Sequence, residues 1–415
     1  MLEVQPHGTA AGHAHGRARR FAAWLYVAPA IGIAAWGGNH FTPLLQLYRR
    51  DEGFSALQVD LLLAFYIVGL IPAFVISGPL SDRYGRKPLM LIAVLAGVAG
   101  SAILGLDPRD LIVLCVGRLI SGISVAIAMT VGTTWVKELS DHPWEPRPRI
   151  GVGARRASLT LTAGLGIGAG VSGTLAQWGP LPTLIPYLFQ ILLSIGAAII
   201  LLRAPETSPH DSRSLLDDLR IPRHARRRFL LTVVPLAPWV FAAAALAYAV
   251  TPALVGNRVG DDTIAFATLL TVLTLAAGAA VQPFTHHIAR LTRGHNALLG
   301  LSIVFVGIVL CAVDAATKSV ALAIVVAVVL GIGYGICLVA GLVVIQDLIR
   351  PHDLGSLTGL FYSLTYLGFA LPAVLAALSS TLSCVALISA VGALCAACIV
   401  VVAISHRAGQ RPTRP

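Results

Sequence analysis

Twelve apolar segments, each long enough to cross a bilayer as a helix, constrain this chain more tightly than anything else in it. They run at approximately 21–46, 57–81, 88–106, 110–136, 157–178, 182–203, 229–254, 263–283, 296–316, 319–345, 357–380 and 385–405. Stretches of this length with few charges read as membrane-spanning helices. Only 12% of the residues are charged, against about 25% in a typical soluble domain, so the chain cannot cover a water-facing surface. The predicted fold class is an all-α membrane protein with twelve transmembrane helices. The first and fourth segments exceed what a span needs, which predicts tilt or kinking.

The net charge of +11 is distributed as a membrane protein distributes it. With both termini in the cytoplasm, the outer loops hold only Arg49, Arg50, Arg109, Arg258 and Lys318. Arg118 lies inside a helix, and every other Lys and Arg lies on the inner side. That is the positive-inside bias. It predicts a multi-pass protein with cytoplasmic termini, and basic inner loops also attract anionic lipid. A nucleic-acid partner is not expected. The Ala-, Gly- and Arg-rich composition points to a GC-rich bacterium and its inner membrane.

The run Gly78-Pro79-Leu80-Ser81-Asp82-Arg83-Tyr84-Gly85-Arg86-Lys87-Pro88 reads as a short charged turn between the second and third segments. Its order of glycine, aspartate, arginine, glycine and two basic residues resembles the loop between helices 2 and 3 of major facilitator superfamily transporters. Six segments precede the charged interruption Arg203 to Arg228 and six follow it, so the resemblance spans essentially the whole chain. It implies two pseudo-symmetric six-helix bundles. The expected organisation is a tail at 1–20, an N-terminal bundle at 21–203, a linker at 204–228, a C-terminal bundle at 229–405 and a tail at 406–415. A degenerate second copy of the turn, lacking the aspartate, is expected at Pro283, His286, His287, Arg290, Arg293 and Gly294.

The resemblance implies an inner gate at this turn. Gly78 and Gly85 would permit close packing and a tight reversal. Asp82, an anion at the membrane surface, needs a partner. The N-terminus of helix 11 near Ser356 and the basic group Arg83, Arg86 and Lys87 are available, and Glu138 is positioned to pair with Arg86. The alternative is that these charges simply anchor the loop.

Asn39 and His40, in the first segment, stand at a depth where similar transporters place substrate or proton residues. A histidine in a membrane span is costly, and its ordinary pKa near 6.5 suits proton exchange; the alternative is a neutral ring bonded to a neighbouring helix. Arg118, followed by Ser121-Gly122, resembles the helix 4 arginine of many antiporters. It would tune a proton site, bind an anionic solute, or snorkel to the interface. Gly164, Gly168 and Gly173 resemble the small-residue pattern of helix 5 in drug:proton antiporters, although Gly168-Ala169 stands where that pattern has Gly-Pro. Gly331, Gly333 and Gly335 serve close packing in helix 10. Candidate cavity residues are Trp36, Tyr66, Gln190, Trp239, Tyr248, Tyr334, Tyr362 and Tyr366. The acids Asp60, Asp314 and Asp347 are expected at interfaces.

No phosphate loop, metal-ligand spacing or nucleophile elbow is present, so no enzyme activity and no cofactor is expected. Cys395-Ala-Ala-Cys398 lies mid-helix and reads as packing. His7, His13 and His15 lie in the N-terminal tail. The function expected is a monomeric secondary transporter working by alternating access, exporting a drug-like or metabolic small molecule in exchange for protons. Proton-coupled uptake of a small organic anion on Arg118, and a non-transporting membrane sensor on the same fold, are the alternatives.

Overall fold

In the computed structural model every described apolar segment is helical. The structure describes residues 22–148, 152–208, 223–348 and 354–409; the N-terminal histidines, and the side chains of Asp347 and Ser356, lie outside the described ones. In chain order the rods are α1, broken into Ala28–Asn39 and Phe41–Asp51, then α2 (Ala56–Tyr84), α3 (Arg86–Leu104), α4 (Leu111–Glu138), α5 (Val152–Trp178) and α6 (Ile185–Leu201). After these come α7, a series of short pieces from Arg223–Arg228 to Thr251–Val259, and α8 (Thr263–Val281). The last are α9 (Asn296–Thr317), α10 (Val320–Leu348), α11 (Leu354–Tyr366 and Leu371–Leu378) and α12 (Cys384–Gly409). Among the described residues nine helical runs are long and apolar enough to cross a membrane, and the longest, Ala225–Leu291, contains both α7 and α8.

Local sequence explains the breaks. Pro43 has no N–H to offer the Asn39 carbonyl, so the ladder of α1 is interrupted just where the chain reads Gly37-Gly38-Asn39-His40. Ser55 and Gln58 form a reciprocal capping box that starts α2. Asp110 starts α4 by accepting the N–H groups of Ile112 and Val113 at 2.8 and 3.3 Å. α4 widens into a π turn at Ala128–Gly132, and α7 does so at Phe229–Val233 and Leu246–Val250.

α1–α6 and α7–α12 pack as two bundles. In the first, α4 lies against α2 and α3, and α1 against α5; in the second, α10 lies against α8 and α9, and α9 against α12. The bundles meet along α2 with α11 and α5 with α8, pairings that exchange when the two halves are interchanged. Leu95, Leu192, Leu394 and Ile404 project outward, as lipid-facing side chains do. The glycines of α5 permit its close approaches. A methyl at Gly164 would overlap the Gly32 carbonyl of α1, one at Gly168 would press on the Trp36 backbone, and one at Gly173 would overlap Thr268 of α8. On α10, Gly331 and Gly335 meet α8 backbone and Gly333 meets Val304 of α9.

One expectation is corrected. The stretch Gly78 to Pro88 is not a loop: α2 runs through Pro79 to Tyr84, and α3 starts at Arg86. Gly85 alone makes the turn, at φ 107°, a conformation that favours glycine. Gly78 sits inside α2, where an added methyl would make only an ordinary contact with Thr130. Asp314, three residues from the end of α9, is shielded from solvent by its neighbours. Its Oδ1 accepts the Ser319 N–H at 3.0 Å, and its Oδ2 has no hydrogen-bond partner.

Candidate functional site

The two bundles enclose a central cavity of about 20 Å³, room for about one water molecule. The N-terminal half supplies its polar side: Asn39 and Thr42 at the break of α1, Tyr66 from α2 and Arg118 from α4. The C-terminal half supplies an aromatic wall of Phe241 and Tyr248 from α7 with Tyr366 and Phe369 from α11. The π turn at Leu246–Val250 carries Tyr248; such turns re-aim side chains and recur at functional sites. Asn39 is held at both ends of its amide: its Nδ2 donates to the Leu165 carbonyl at 3.0 Å and its Oδ1 accepts from Thr42 at 2.8 Å.

Arg118 is 1% exposed. Its guanidinium lies between two rings, 4.5 Å from the centre of Phe41 and 4.3 Å from that of Tyr66. Nε reaches the Leu62 carbonyl at 3.4 Å, while Nη1 has no hydrogen-bond partner. Gly122 makes this possible, because a side chain there would strike the Tyr66 carbonyl and hold α2 away from α4. The alternative in which Arg118 snorkels to the interface does not hold, because its side chain is buried between Phe41 and Tyr66; among the described residues no carboxylate lines the cavity. His40 lies behind the cavity, fully buried, its ring edge-on to Tyr187 at 5.3 Å with neither nitrogen bonded. The Tyr187 hydroxyl bonds that of Tyr48 at 2.8 Å.

Contacts between the halves close the cavity at both ends. Toward Gly85, which marks the basic end, Phe74 of α2 stacks on Tyr362 of α11 at 5.5 Å, and Ser158 donates to Gln282 at 3.3 Å. At the opposite end the Gln177 amide clasps the α7–α8 corner. It donates to the Asp261 carbonyl at 3.0 Å and accepts from the Ala265 N–H at 3.1 Å, and Arg50 adds a third bond to Asp261 at 3.0 Å.

A charged cluster fastens the basic end of the N-terminal half. Arg86, its side chain 7% exposed, reaches Glu138 at 2.9 and 3.3 Å and Asp82 at 2.5 Å, and donates to the Ser81 hydroxyl at 2.5 Å. The segment after α6 folds under it. Glu206 accepts the first N–H groups of α3, those of Arg86 and Lys87, at 2.9 Å each, and those of Thr207 and Ser208 at 3.0 Å each. Partial burial works against its ionised form, but the four N–H donors outweigh that and hold its carboxyl below the usual carboxylate range. Thr207 donates to Glu138, and the Trp135 indole donates to the Pro205 carbonyl at 3.0 Å.

The Major Facilitator Superfamily profile matches residues 27–373. The chain belongs to this superfamily. Among curated relatives, Multidrug resistance protein 1 of Bacillus subtilis is 25% identical over 182 residues, 43% of this chain and 44% of that protein. The gallate transporter of Pseudomonas putida is 31% identical over 138 residues, 31% of this chain and 26% of its own. The chain thus spans less than half the length of these relatives. A crystal structure of a mutant of the nucleoside transporter NupG superposes with a TM-score of 0.69 at 14% identity, over 94% of this chain and 99% of that one, which shows the shared fold. The protein is therefore a multi-pass membrane member of this superfamily.

The transporter fold sorts the candidate residues. Tyr66, Tyr248, Tyr366, Asn39 and Arg118 line the cavity. Tyr362 lies one turn toward the basic end, stacked on Phe74. Trp36 and His40, one turn apart on α1, face α6 instead, where they meet Phe189 and Tyr187. Gln190 is buried within the N-terminal half beside Gly37 and Gly97, and Ser101 donates to it at 3.4 Å. Trp239 is two residues from Phe241 and so on the other side of α7, and Tyr334 packs behind Phe241. The gate cluster is also placed differently from expectation. Among the described residues, every partner of Arg86 and Glu138 lies in the N-terminal half or in 205–208, so the charges tie one half together rather than bridging two. Arg83 is exposed over the ring of Tyr84 at 5.4 Å, and Lys87 donates to the Leu202 carbonyl at 3.3 Å. Phe241, Phe369, Gln177 and Glu206 carry no sequence signal that separates them from other aromatic or polar residues nearby.

Proposed function

We propose that this transporter carries a small organic molecule through its central cavity by alternating access, in exchange for or together with protons. The observation that carries the reading is the closed cavity itself. It lies between two bundles that touch at both ends, is too small for an organic solute as it stands, and is lined by buried polar and aromatic groups. A solute enters only if the halves part at one end while the other holds. His40, buried and unbonded next to the cavity residue Asn39, is the proton-carrying group in this reading. Export is the direction that Multidrug resistance protein 1 favours by its name; a second reading, movement of an organic anion, is favoured by Arg118. The cluster of Asp82, Arg86, Lys87 and Glu138, with Arg83 and the Gly85 turn, serves as a fixed base against which the C-terminal half rocks. A monomer in a bacterial inner membrane, with cytoplasmic termini and the linker on lipid, completes the proposal.

The test is solute-driven proton movement in liposomes holding purified protein and an internal pH dye. Lipophilic cations, neutral antibiotics and organic acids are added in turn. Proton flux with any class, lost in His40→Ala, supports proton-coupled transport. Solute uptake that continues unchanged in His40→Ala with no pH signal overturns the coupling, and no solute movement in any class overturns transport.

A further inference from the structure

The cavity is built for an anion. Among the described residues Arg118 is the only charged side chain in its lining, and it is buried with Nη1 unbonded. None of the ion pairs among the described residues includes it. An uncompensated charge at this depth is costly. The faces of Phe41 and Tyr66 attract the guanidinium, but they leave a strong N–H donor without an acceptor. Asn39 and Thr42 bond each other and the Leu165 carbonyl, and neither accepts the free Nη1. The missing partner is an oxyanion, which a guanidinium grips through two parallel hydrogen bonds. A cationic solute would meet like charge here with no acid to offset it.

The facing wall defines the rest of the solute. Phe241 lies 4.1 Å from Tyr366 and 4.8 Å from Phe369, centre to centre, and Tyr248 lies 6.1 Å from Phe369. These rings offer apolar faces and no counter-charge. One cation opposite an aromatic wall suits one negative charge on a flat apolar body. A phosphate dianion would leave half its charge unmatched, and a simple inorganic anion would leave the rings unused.

We infer that the cargo is a planar aromatic monoanion, typified by an aromatic carboxylate, whose acid group pairs with Arg118 while its ring packs on Phe241 and Tyr366. The inference rests on the reading of this cavity as the transport path. It places the charge on the N-terminal half and the stacking on the C-terminal half, so the bound solute bridges the two moving bodies.

The test compares 2-naphthoate, its neutral amide 2-naphthamide and the cation 2-naphthylmethylamine, by direct binding to full-length protein in nanodiscs. A charge-assisted hydrogen bond is worth about 1.5–3 kcal/mol, so the acid should bind at least roughly tenfold more tightly than the amide, and the amine more weakly still. Arg118→Gln should erase the acid's advantage while keeping amide binding. Tyr366→Ala should weaken acid and amide alike and leave their ratio intact, a result that does not depend on Arg118→Gln folding. Equal binding of acid and amide, an acid preference that survives Arg118→Gln, or no binding of the acid would each overturn the inference. Acid binding without movement of the acid into liposomes would instead overturn the transport reading and leave the anion site standing. Transport of amines or amides without acid preference would do the reverse.

Discussion

The α2–α3 turn and its counterpart between α8 and α9 occupy equivalent places in the two halves, and they are fastened by different forces. Both reverse the chain through a glycine at positive φ, Gly85 at 107° and Gly294 at 82°. At the first, Arg86 is buried among Asp82, Ser81 and Glu138, and Glu206 caps the start of α3. At the second, the bonds are neutral: Asn296 donates to the Thr285 carbonyl at 3.1 Å, and Thr292 donates to Asn296 at 2.9 Å. Arg290 and Arg293 are exposed there and form no ion pair among the described residues. Proline and histidines stand where the first copy has its aspartate. The repeat has kept the shape of the turn in both halves and the ionic fastening in one. We propose that this ionic fastening makes the N-terminal half the base on which the C-terminal half tilts.

The largest expected effect is that of Arg86→Ala. It strands Glu138 and Asp82 beside a buried gap, a loss on the order of 3 kcal/mol, discounted somewhat because Glu138 is partly exposed. Arg290→Ala should change stability by less than about 0.5 kcal/mol. Heating solubilised protein and measuring the folded fraction by size-exclusion chromatography compares the two, and equal losses would erase the asymmetry. Next come the glycines. Gly85→Ala adds backbone strain of about 1–3 kcal/mol to a clash with the Glu206 carboxylate, whereas Gly294→Ala adds strain in open space. The same heating series should rank Gly85→Ala as the more damaging.

Glu206→Gln should cost on the order of 1 kcal/mol, since an amide oxygen accepts the α3 N–H groups less strongly than a carboxylate. Because the Glu206 carboxyl lies below its ordinary value, its contribution is complete above the unfolded pKa of about 4.3 and is lost as pH falls through the lower folded value. The stability gap between wild type and Glu206→Gln should therefore persist at neutral pH and close in strong acid. A gap that widened toward acid would contradict the capping role. A small effect is expected of Arg83→Ala in the same heating series, since it loses only an exposed contact with Tyr84 worth under about 1 kcal/mol.

The all-helical membrane class was legible because lipid demands long apolar helices. Arg86 beside Glu138 was legible as a pair of opposite charges at the same end of neighbouring helices. Cavity membership was much less so. Which face of α1 looks inward depends on the break at His40, which sends Asn39 and Thr42 to the cavity and Trp36 and His40 toward α6. On α7 the π turn alters the helical phase near Tyr248, so counting from Trp239 misplaces the wall. Glu206 is invisible for another reason: its partners lie some 120 residues earlier in the chain, and they are backbone groups that any sequence would carry.

The central claim is that the cavity opens at one end only when the other is closed. Gln177 of α5 accepts the Ala265 N–H of α8 at 3.1 Å at the end opposite Gly85, so Gln177→Cys with Ala265→Cys can be joined by a short reducible thiol cross-linker to make a lock. Thr42→Cys, in the cavity, then reports access by reacting with a membrane-impermeant thiol reagent added from either face, with wild-type protein as the background. Unlocked protein should react from both faces. Locked protein should react only from the basic-end face, and reduction should restore the other. Continued labelling of locked protein from the opposite face would contradict alternating access through this cavity.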